Sequence, residues 1–599
     1  AQVKANVNGI FGTLDDVAKA LRSPIRKDAE GKRLIRLFSQ PDKKTGEFHW
    51  HYGSVCWCGV WHVDDFRKFE TYCEQDVRTE AGVDHLLNPV PEPVQRQYEI
   101  DQRINDRGVR HHKKLAVRAV EQVEAERVRL MQELKDLTGL DNPNSIQQMQ
   151  GWLEAQGYPM KSLNKESREE ALDDPFIPED VARALVLKGS ASLSSVAKHK
   201  AALATRCADG RIRGSLQFYG AHTGREAGRG VQPQNLPRYE APALDRKRLL
   251  KGKAGQDAPE IAKGTVRASL IPAKGHVFVV YDYNAIEARV LGWLAGEKWV
   301  MDEFTHGAGK IYEATAATMF GVDKDKLIRA LSEEFGCGKC GKCVDCNTRG
   351  KGKVSNLALG YAGGAGALVT MGAEKEGIDC GNYTELHREW EAVGKPGKFW
   401  QWEQDRHDYP ELIRLRDLFR NASPATTSFW KHNATAWDVA ATQGKTVRYG
   451  HNGVVAMMRD GQHNRMVLPS GRSIWYRFAK SHVDPDNPDK IERRTFIGKA
   501  SGVGHARVDT HGGKLTENVT QAVARDVLFD LMEKIEAKTQ KGWPGRIVLH
   551  VHDEVVLEVP IKKVDRVKRD MEVLMSTPPD WAPGLVVKGE GAVMERYGK

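Results

Sequence analysis

Two aspartates stand at the ends of apolar runs in this 599-residue chain. Val277 to Tyr281 is β-branched and aromatic and reads as a buried strand, and Asp282 stands where that run stops. Ala285 to Leu294 then places Ile286, Val290, Leu291 and Leu294 on one helical face. A strand-end Asp met alone is most often a cap or a surface residue. A second stretch, Arg546 to Pro560, reverses that balance. Ile547, Val548, Leu549 and Val551 form one expected strand, Val555, Val556, Leu557 and Val559 another, and His552-Asp553-Glu554 lies at the tight turn between them. Two strand-tip carboxylates can share divalent cations, and paired cations clamp the attacking and leaving oxygens of phosphoryl transfer.

Two more clusters lie between these aspartates. Arg349, Lys353, Leu357 and Tyr361 step by four, a slowly drifting stripe along one expected helix. Cations one turn apart suit a triphosphate, and an aromatic farther along suits a base and sugar. The plainer reading is a solvated basic helix with a buried Tyr. Gly350 and Gly352 are expected to weaken its first turn. Just before it comes Cys337-x2-Cys340-x2-Cys343-x2-Cys346, four of the nine cysteines. Such density argues for a metal site in a reducing compartment rather than a disulfide framework, with structural zinc first and an iron–sulfur cluster second. A reduced loop without metal is the alternative. Cys56-Trp57-Cys58 has no partner spacing and is expected to be structural.

The elements that must position these residues fall into blocks. The length allows several subdomains and a sizeable core. A net charge of +10 and a pI near 8.9 suit a polyanionic partner, although many soluble proteins are mildly basic. No apolar run approaches the length of a membrane span and no signal-peptide pattern opens the sequence, so no membrane partner is expected. The first residue is Ala rather than Met, so a trimmed or fragmentary chain is expected. Pro91 and Pro93 punctuate a boundary. Beyond it, Val117, Val120, Val123, Leu130, Leu134 and Leu137 recur at helical spacing, with Gly139 as a C-cap, and further helices follow Asn144-Ser145 and Pro178. Lys188, Lys198 and Lys200 accompany Ser190, Ser192, Ser194 and Ser195 as a basic face. Lys247 to Lys263 reads as a basic surface loop. Residues 375–480 are charged and Trp-rich, with Trp390, Trp430 and Trp437 as packing anchors.

The clusters, taken together, resemble family A DNA polymerases, the DNA polymerase I type. Asp282-Tyr283-x2-Ile286-Glu287-x-Arg289 resembles motif A, Arg349-x3-Lys353-x7-Tyr361 motif B and His552-Asp553-Glu554 motif C, in the family's order. Leu468-Pro469-Ser470-Gly471-Arg472, and Val508-Asp509-Thr510 through Asn518, resemble the bacteriophage branch. The resemblance implies an α+β, right-hand fold. The expected division is a 3′–5′ exonuclease-like remnant at 1–90, a thumb at 91–210, a palm with an antiparallel sheet at 211–298 and 481–599, and helical fingers at 299–480. Its implied reaction is template-directed addition of a dNMP from a dNTP to a primer 3′ hydroxyl. Primer–template DNA and dNTPs are the implied partners, and phage replication in the cytoplasm of a bacterial host the implied setting; a processivity partner is not legible.

The resemblance also assigns roles. Asp282, Asp553 and the Tyr283 carbonyl are the implied ligands of two Mg²⁺ ions, and Lys353 joins the aspartates as a catalytic group. Arg349, Lys353, Leu357, Tyr361, Glu287 and Tyr312 are the implied nucleotide contacts. Arg225, Asn235, Gln521 (on an expected helix Asn518 to Met532) and His552 are the implied DNA contacts. Leu357 stands where relatives mostly carry Phe or Tyr, Tyr312 where many carry His, and Glu517 where Asn is usual. The four-cysteine insert lies outside the family pattern. Tyr72-x3-Asp76 resembles the third motif of DEDD-type exonucleases, but no Asp-x-Glu precedes it here, so proofreading is not expected from this chain. Two alternatives stand beside this reading. A single-subunit RNA polymerase shares the palm and both aspartates, but the bulky acid Glu287 argues against a ribose 2′ hydroxyl. A non-catalytic DNA-binding protein is expected to lose Asp282 or Asp553, and both are present.

Overall fold

The computed structural model describes residues 1–599 other than 29, 43–44, 51–54, 192–194, 396–398, 404–405, 501–503 and 599. Ser192 and Ser194 of the expected basic face therefore lie outside the described residues.

The apolar runs of the two aspartate stretches meet in one antiparallel sheet. Its strands are β1 (His276–Tyr283), β2 (Arg546–Val551), β3 (Glu554–Pro560) and β4 (Gly589–Met594), in the order β2-β3-β1-β4. Val280 lies opposite Val556, and Asp282 lies between Glu554 on one side and Glu590 on the other. In β1, β2 and β3 both faces are largely buried, so these three strands read as near-continuous apolar runs instead of alternating ones, whereas the edge strand β4 is mostly exposed. Val279, Tyr281, Val555 and Leu557 enter one core, while Phe278, Val280, Leu549 and Val556 enter a second with Leu270 and Tyr597.

Five helices surround the sheet's working end: α1 (Ile286–Ala295), α2 (Ile311–Phe320), α3 (Val344–Leu359), α4 (Pro424–Gln443) and α5 (Gly512–Gln540). Ile286, Val290, Leu291 and Leu294 of α1 are all buried, as their spacing predicts. α5 is apolar around most of its circumference because α1, α4 and the sheet cover it on several sides. It is longer than Asn518 to Met532: the His511 ring caps its start by accepting from the Lys514 N–H, and the helix runs on to Gln540. Gly350 and Gly352 lie inside α3, which runs unbroken through both. A Cβ at Gly352 would collide with the Tyr312 carbonyl, so glycine there lets α3 lie against α2.

Residues 447–510 form a six-stranded antiparallel meander, from Val447–Tyr449 to Gly504–Thr510. Trp437 and Trp430 are buried anchors beneath and beside it, and the Trp430 indole donates to the Gly360 carbonyl at 2.9 Å. Patterning misses this sheet because its outer strands carry charge, including the Arg493–Asp509 pair at 2.5 Å. Strand Ser473–Asp484 crosses the expected fingers–palm division at 480/481.

The segment 91–210 is helical, with Gly139 in the left-handed region (φ +68°) capping Lys113–Thr138. Its buried stripe is shifted from the expected one. Leu115, Ala116 and Ala119 are buried with Val123, Leu130 and Leu134, because the alanines admit the helices Ser195–Thr205 and Ala258–Thr265 at close range. Lys188 is no solvated lysine: it is 8% exposed and donates to the Pro143 carbonyl at 2.7 Å. Lys198 donates to the Val231 carbonyl at 3.0 Å and Lys200 pairs with Glu124 at 2.6 Å. Lys247 to Lys263 is not a loop. It holds the end of helix Ala243–Leu250 and most of Ala258–Thr265, packed on Lys113–Thr138. Cys56 and Cys58 acquire neighbours that sequence spacing hides, His49 and His62.

Candidate active site

A main-chain hydrogen bond joins the two aspartate stretches: the Tyr283 N–H donates to the Asp553 carbonyl at 3.2 Å. Two non-glycine residues in the left-handed region flank it, Ala285 (φ +50°) and His552 (φ +57°). Such backbone costs of order 1–3 kcal/mol per residue and persists only where surroundings impose it. At Ala285 the chain leaves β1 and enters α1. At His552 it reverses from β2 into β3, leaving His552 exposed beside Asp553. Arg289, buried in α1, donates to the Asn284 carbonyl at 2.7 Å and the Val586 carbonyl at 3.1 Å, which fastens the exit of β1.

Asp282, Tyr283, Glu287 and Asp553, from the sheet and the start of α1, line a cleft of about 480 Å³ together with Tyr312 of α2 and Arg349, Lys353 and Leu357 of α3. Burial, and then the nearby Asp282 carboxylate, push Asp553 up to about 7 from 3.8. A buried carboxylate with a second one nearby fits divalent cations, whose charge relieves both the burial of Asp553 and its repulsion by its neighbour. Glu554 does not share that task, since its carboxylate is 4% exposed and accepts from the Tyr597 hydroxyl at 2.7 Å.

In the same cleft, the Arg349 Nε donates to the buried Glu313 carboxylate at 3.0 Å, and its guanidinium lies 5.3 Å from the Tyr312 ring centre. Lys353, one turn on, is held below the ordinary lysine value by burial and then by the neighbouring cations Arg349 and Arg238. A lysine so placed gives up a proton more readily than one in water. Burial, above all, raises the Tyr312 phenol.

Tyr361 and Arg225 reach the cleft through Glu287. The Arg225 Nη2 lies 2.6 Å from one Glu287 oxygen, and the Tyr361 hydroxyl donates to the other at 3.2 Å. Behind Arg225, the turn Thr223-Gly224 is held by two buried arginines that sequence reasoning did not single out for this role. The Arg472 Nη2 donates to the Thr223 carbonyl at 2.9 Å while its Nε meets Asp526 at 2.7 Å. The Arg525 Nε donates to the Gly224 carbonyl at 3.0 Å, with its guanidinium 3.6 Å from the Phe529 ring centre. Asn235 and Gln521 are not in the cleft wall: Asn235 donates to Gln232 at 3.3 Å and Gln521 to Glu517 at 3.2 Å.

Four charged cleft residues escaped the sequence reading as site residues. Glu313 was visible only as the neighbour of Tyr312. Glu590 of β4 accepts from Asn284 at 3.0 Å, and Lys310 and Lys339 add cations. Lys339 comes from the four-cysteine insert, whose sulfurs all lie within 4.8 Å of one another. Cys343 is the N-cap of α3, accepting from the Cys346 N–H at 3.4 Å, so the insert is continuous with the helix that carries Arg349 and Lys353.

A family model described as "DNA polymerase family A" matches residues 113–331. The chain is 37% identical over 610 residues to the DNA polymerase of Bacillus phage SP02, spanning 100% of this chain and 85% of the phage protein. It is 24% identical over 306 residues to DNA polymerase I of Lactococcus lactis subsp. lactis, spanning 51% of this chain and 24% of that protein. Its fold is similar to the POL domain of Pol1 from M. smegmatis, solved in complex with a DNA primer-template and dNTP, with a TM-score of 0.52 at 14% identity over 98% of this chain and 82% of that one. The likeness to the phage enzyme over the whole of this chain and the family match agree with the α+β, right-hand architecture around the cleft, and this chain belongs to family A of the DNA polymerases.

Proposed function

We propose that this chain is a DNA-directed DNA polymerase that adds a dNMP from a dNTP to a primer 3′ hydroxyl, in phage DNA replication within the cytoplasm of a bacterial host. The observation that carries this reading is one cleft lined both by Asp282 and Asp553, from the sheet, and by Arg349 and Lys353, from α3. Phosphoryl transfer needs positioning and charge stabilisation more than covalent chemistry, and this is a site of carboxylates and cations.

In this reading Asp282, Asp553 and the Tyr283 carbonyl hold two Mg²⁺ ions. When bound, the ions supply charge that activates the 3′ hydroxyl and stabilises the triphosphate. Arg349 and Lys353 hold the phosphates, and Lys353, with its proton loosened by burial, protonates the departing pyrophosphate. Glu313 and the Tyr312 ring orient Arg349. Glu287, fixed between Arg225 and Tyr361, stands where a ribose 2′ hydroxyl would fall, and Leu357 faces the sugar. Arg225, Asn235, Gln521 and His552 border the primer–template. The helical segment 91–210 serves as thumb, 211–298 and 481–599 as palm, and 299–480 as fingers, with 1–90 as an exonuclease-like remnant. The four-cysteine knuckle holds one structural zinc, for which four thiolates around one point are suitable ligands.

Among the described residues no helix is long and apolar enough to cross a membrane. Primer extension with dNTPs, with rNTPs and without nucleotide tests the reading. Mg²⁺-dependent extension with dNTPs is expected, and its absence with an intact, DNA-bound protein overturns the proposal.

A further inference from the structure

We infer that the N-terminal segment holds a second structural zinc, on His49, Cys56, Cys58 and His62. The four ligand atoms all lie within 4.8 Å of one another, although the residues spread over a stretch with no familiar spacing. The Cys56 Sγ is 3.5 Å from the His49 Nδ1 and the Cys58 Sγ is 3.1 Å from the His62 Nε2. Tetrahedral coordination, at about 2.3 Å for sulfur and about 2.0 Å for nitrogen, sets ligand atoms roughly 3.3–3.8 Å apart. Two thiolates and two neutral imidazoles around one zinc leave no net charge, which suits a site where Cys56 and His62 are 3% and 6% exposed.

The surroundings orient the ligands as a metal site requires. The Cys56 N–H donates to the Val60 carbonyl at 3.2 Å and the Gly59 N–H to the Cys56 carbonyl at 2.8 Å, a tight turn with Gly59 in the left-handed region (φ +81°). That turn presents both sulfurs to one side. His62 precedes helix Val63–His85, and its Nδ1 faces the Asp65 carboxylate at 3.6 Å, which directs Nε2 at the sulfurs. The His49 ring stacks on Trp57 at 4.7 Å, and the Trp57 indole donates to the Phe48 carbonyl at 3.1 Å.

Two competing readings fit less well. A thiol–imidazole pair poised for nucleophilic attack needs one Cys and one His, whereas two such pairs here converge on one point. With all four positions filled by protein, no coordination site stays open for substrate, so the ion is structural and not hydrolytic. Its use is legible in the same stretch. Phe48, Val55, Val60 and Trp61 are 54%, 43%, 50% and 58% exposed, so apolar burial contributes little to holding the described residues around the four ligands in place. A cross-linking ion supplies what the small core does not.

The inference is independent of the polymerase reading, and metal content tests it apart from activity. The full chain is purified without chelator and its zinc quantified beside C56S/C58S and C340S/C343S variants, with X-ray absorption at the zinc edge. Two equivalents are expected in the wild type, with an average of three sulfurs and one nitrogen per ion. One equivalent with two sulfurs and two nitrogens is expected in C340S/C343S. Wild-type zinc coordinated by sulfur alone, or zinc content unchanged in C56S/C58S, overturns the proposal, and the wild-type spectrum decides the matter even where a variant fails to fold. Less than about 0.2 equivalents in a folded C340S/C343S protein, against the single ion of a closed site, overturns it as well.

Discussion

The Arg225 guanidinium lies 2.6 Å from one oxygen of Glu287, and the other oxygen accepts from Tyr361. Three expected site residues, far apart in sequence, are therefore joined, and both carboxylate oxygens of Glu287 are engaged. A rigid acid is a better steric filter than a mobile one. Glu287→Ala is expected to lower the preference for dNTP over rNTP by about tenfold or more, the scale of one misplaced contact of 1–3 kcal/mol. Single-nucleotide incorporation kinetics with matched dNTP and rNTP check this. An unchanged ratio means that sugar selection lies elsewhere.

Asp282→Asn and Asp553→Asn are each expected to reduce the extension rate on the order of 10³-fold or more, since several kcal/mol of transition-state charge stabilisation depends on them. Duplex binding, measured by fluorescence anisotropy with labelled primer–template, is expected to stay largely intact. Near-normal extension in Mg²⁺ by either variant contradicts the assignment.

Lys353 sits below the ordinary lysine value because of burial and its cationic neighbours. The protonated form is the acid, so activity falls as pH rises through the Lys353 pKa, and the depressed value moves that fall to lower pH than a free lysine gives. Lys353→Arg, which keeps its proton, is expected to lower kcat and to remove this alkaline limb. A pH profile of single-turnover rates separates the two outcomes. An identical limb in the variant assigns the proton to another group.

Leu357 has no donor to offer a sugar, and it shares the cleft wall with Lys353 one turn away on α3. Leu357→Tyr is expected to increase dideoxynucleotide use, because a hydroxyl then stands near the missing 3′ oxygen. Competition between ddNTP and dNTP in chain-termination ladders reads the effect. No gain means that Leu357 does not face the sugar.

The knuckle supplies the N-cap of α3 through Cys343 and a cleft cation through Lys339. Stripping its metal is expected to raise the KM for dNTP several-fold while changing primer–template affinity less. Steady-state kinetics before and after chelation, repeated in C56S/C58S to remove the N-terminal ion, test this. Equal changes in both parameters assign the insert a different role.

No Mg²⁺-dependent removal of a mismatched 3′ end is expected from this chain. Asp76 pairs with Lys27 at 2.9 Å, and among the described residues it joins no metal-competent cluster. Cleavage that survives Asp76→Ala would place a nuclease site elsewhere.

The sequence alone determined those parts where local pattern and chemistry coincide. The strands around Asp282 and Asp553 were legible because both of their faces are buried and their runs are dense in β-branched and other apolar residues. The helix of Arg349, Lys353 and Leu357 was legible because its side chains repeat every turn, but Tyr361, expected on the same helix, lies just past its end at Leu359, where Gly360 caps it. Gly139 marked a helix end because a left-handed residue is required there. What only the tertiary structure decided are relations between residues distant in the chain. The pairing of Glu287 with Arg225, the Glu313 clamp on Arg349 and the support of Thr223-Gly224 by Arg472 and Arg525 depend on which helix crosses which. The charged meander of 447–510 has too little apolar alternation to announce itself, and Lys188 spends its charge on a backbone carbonyl. His49 and His62 join Cys56 and Cys58 for the same reason: metal ligands need proximity in space, and spacing along the chain records that only when a short turn brings all four together.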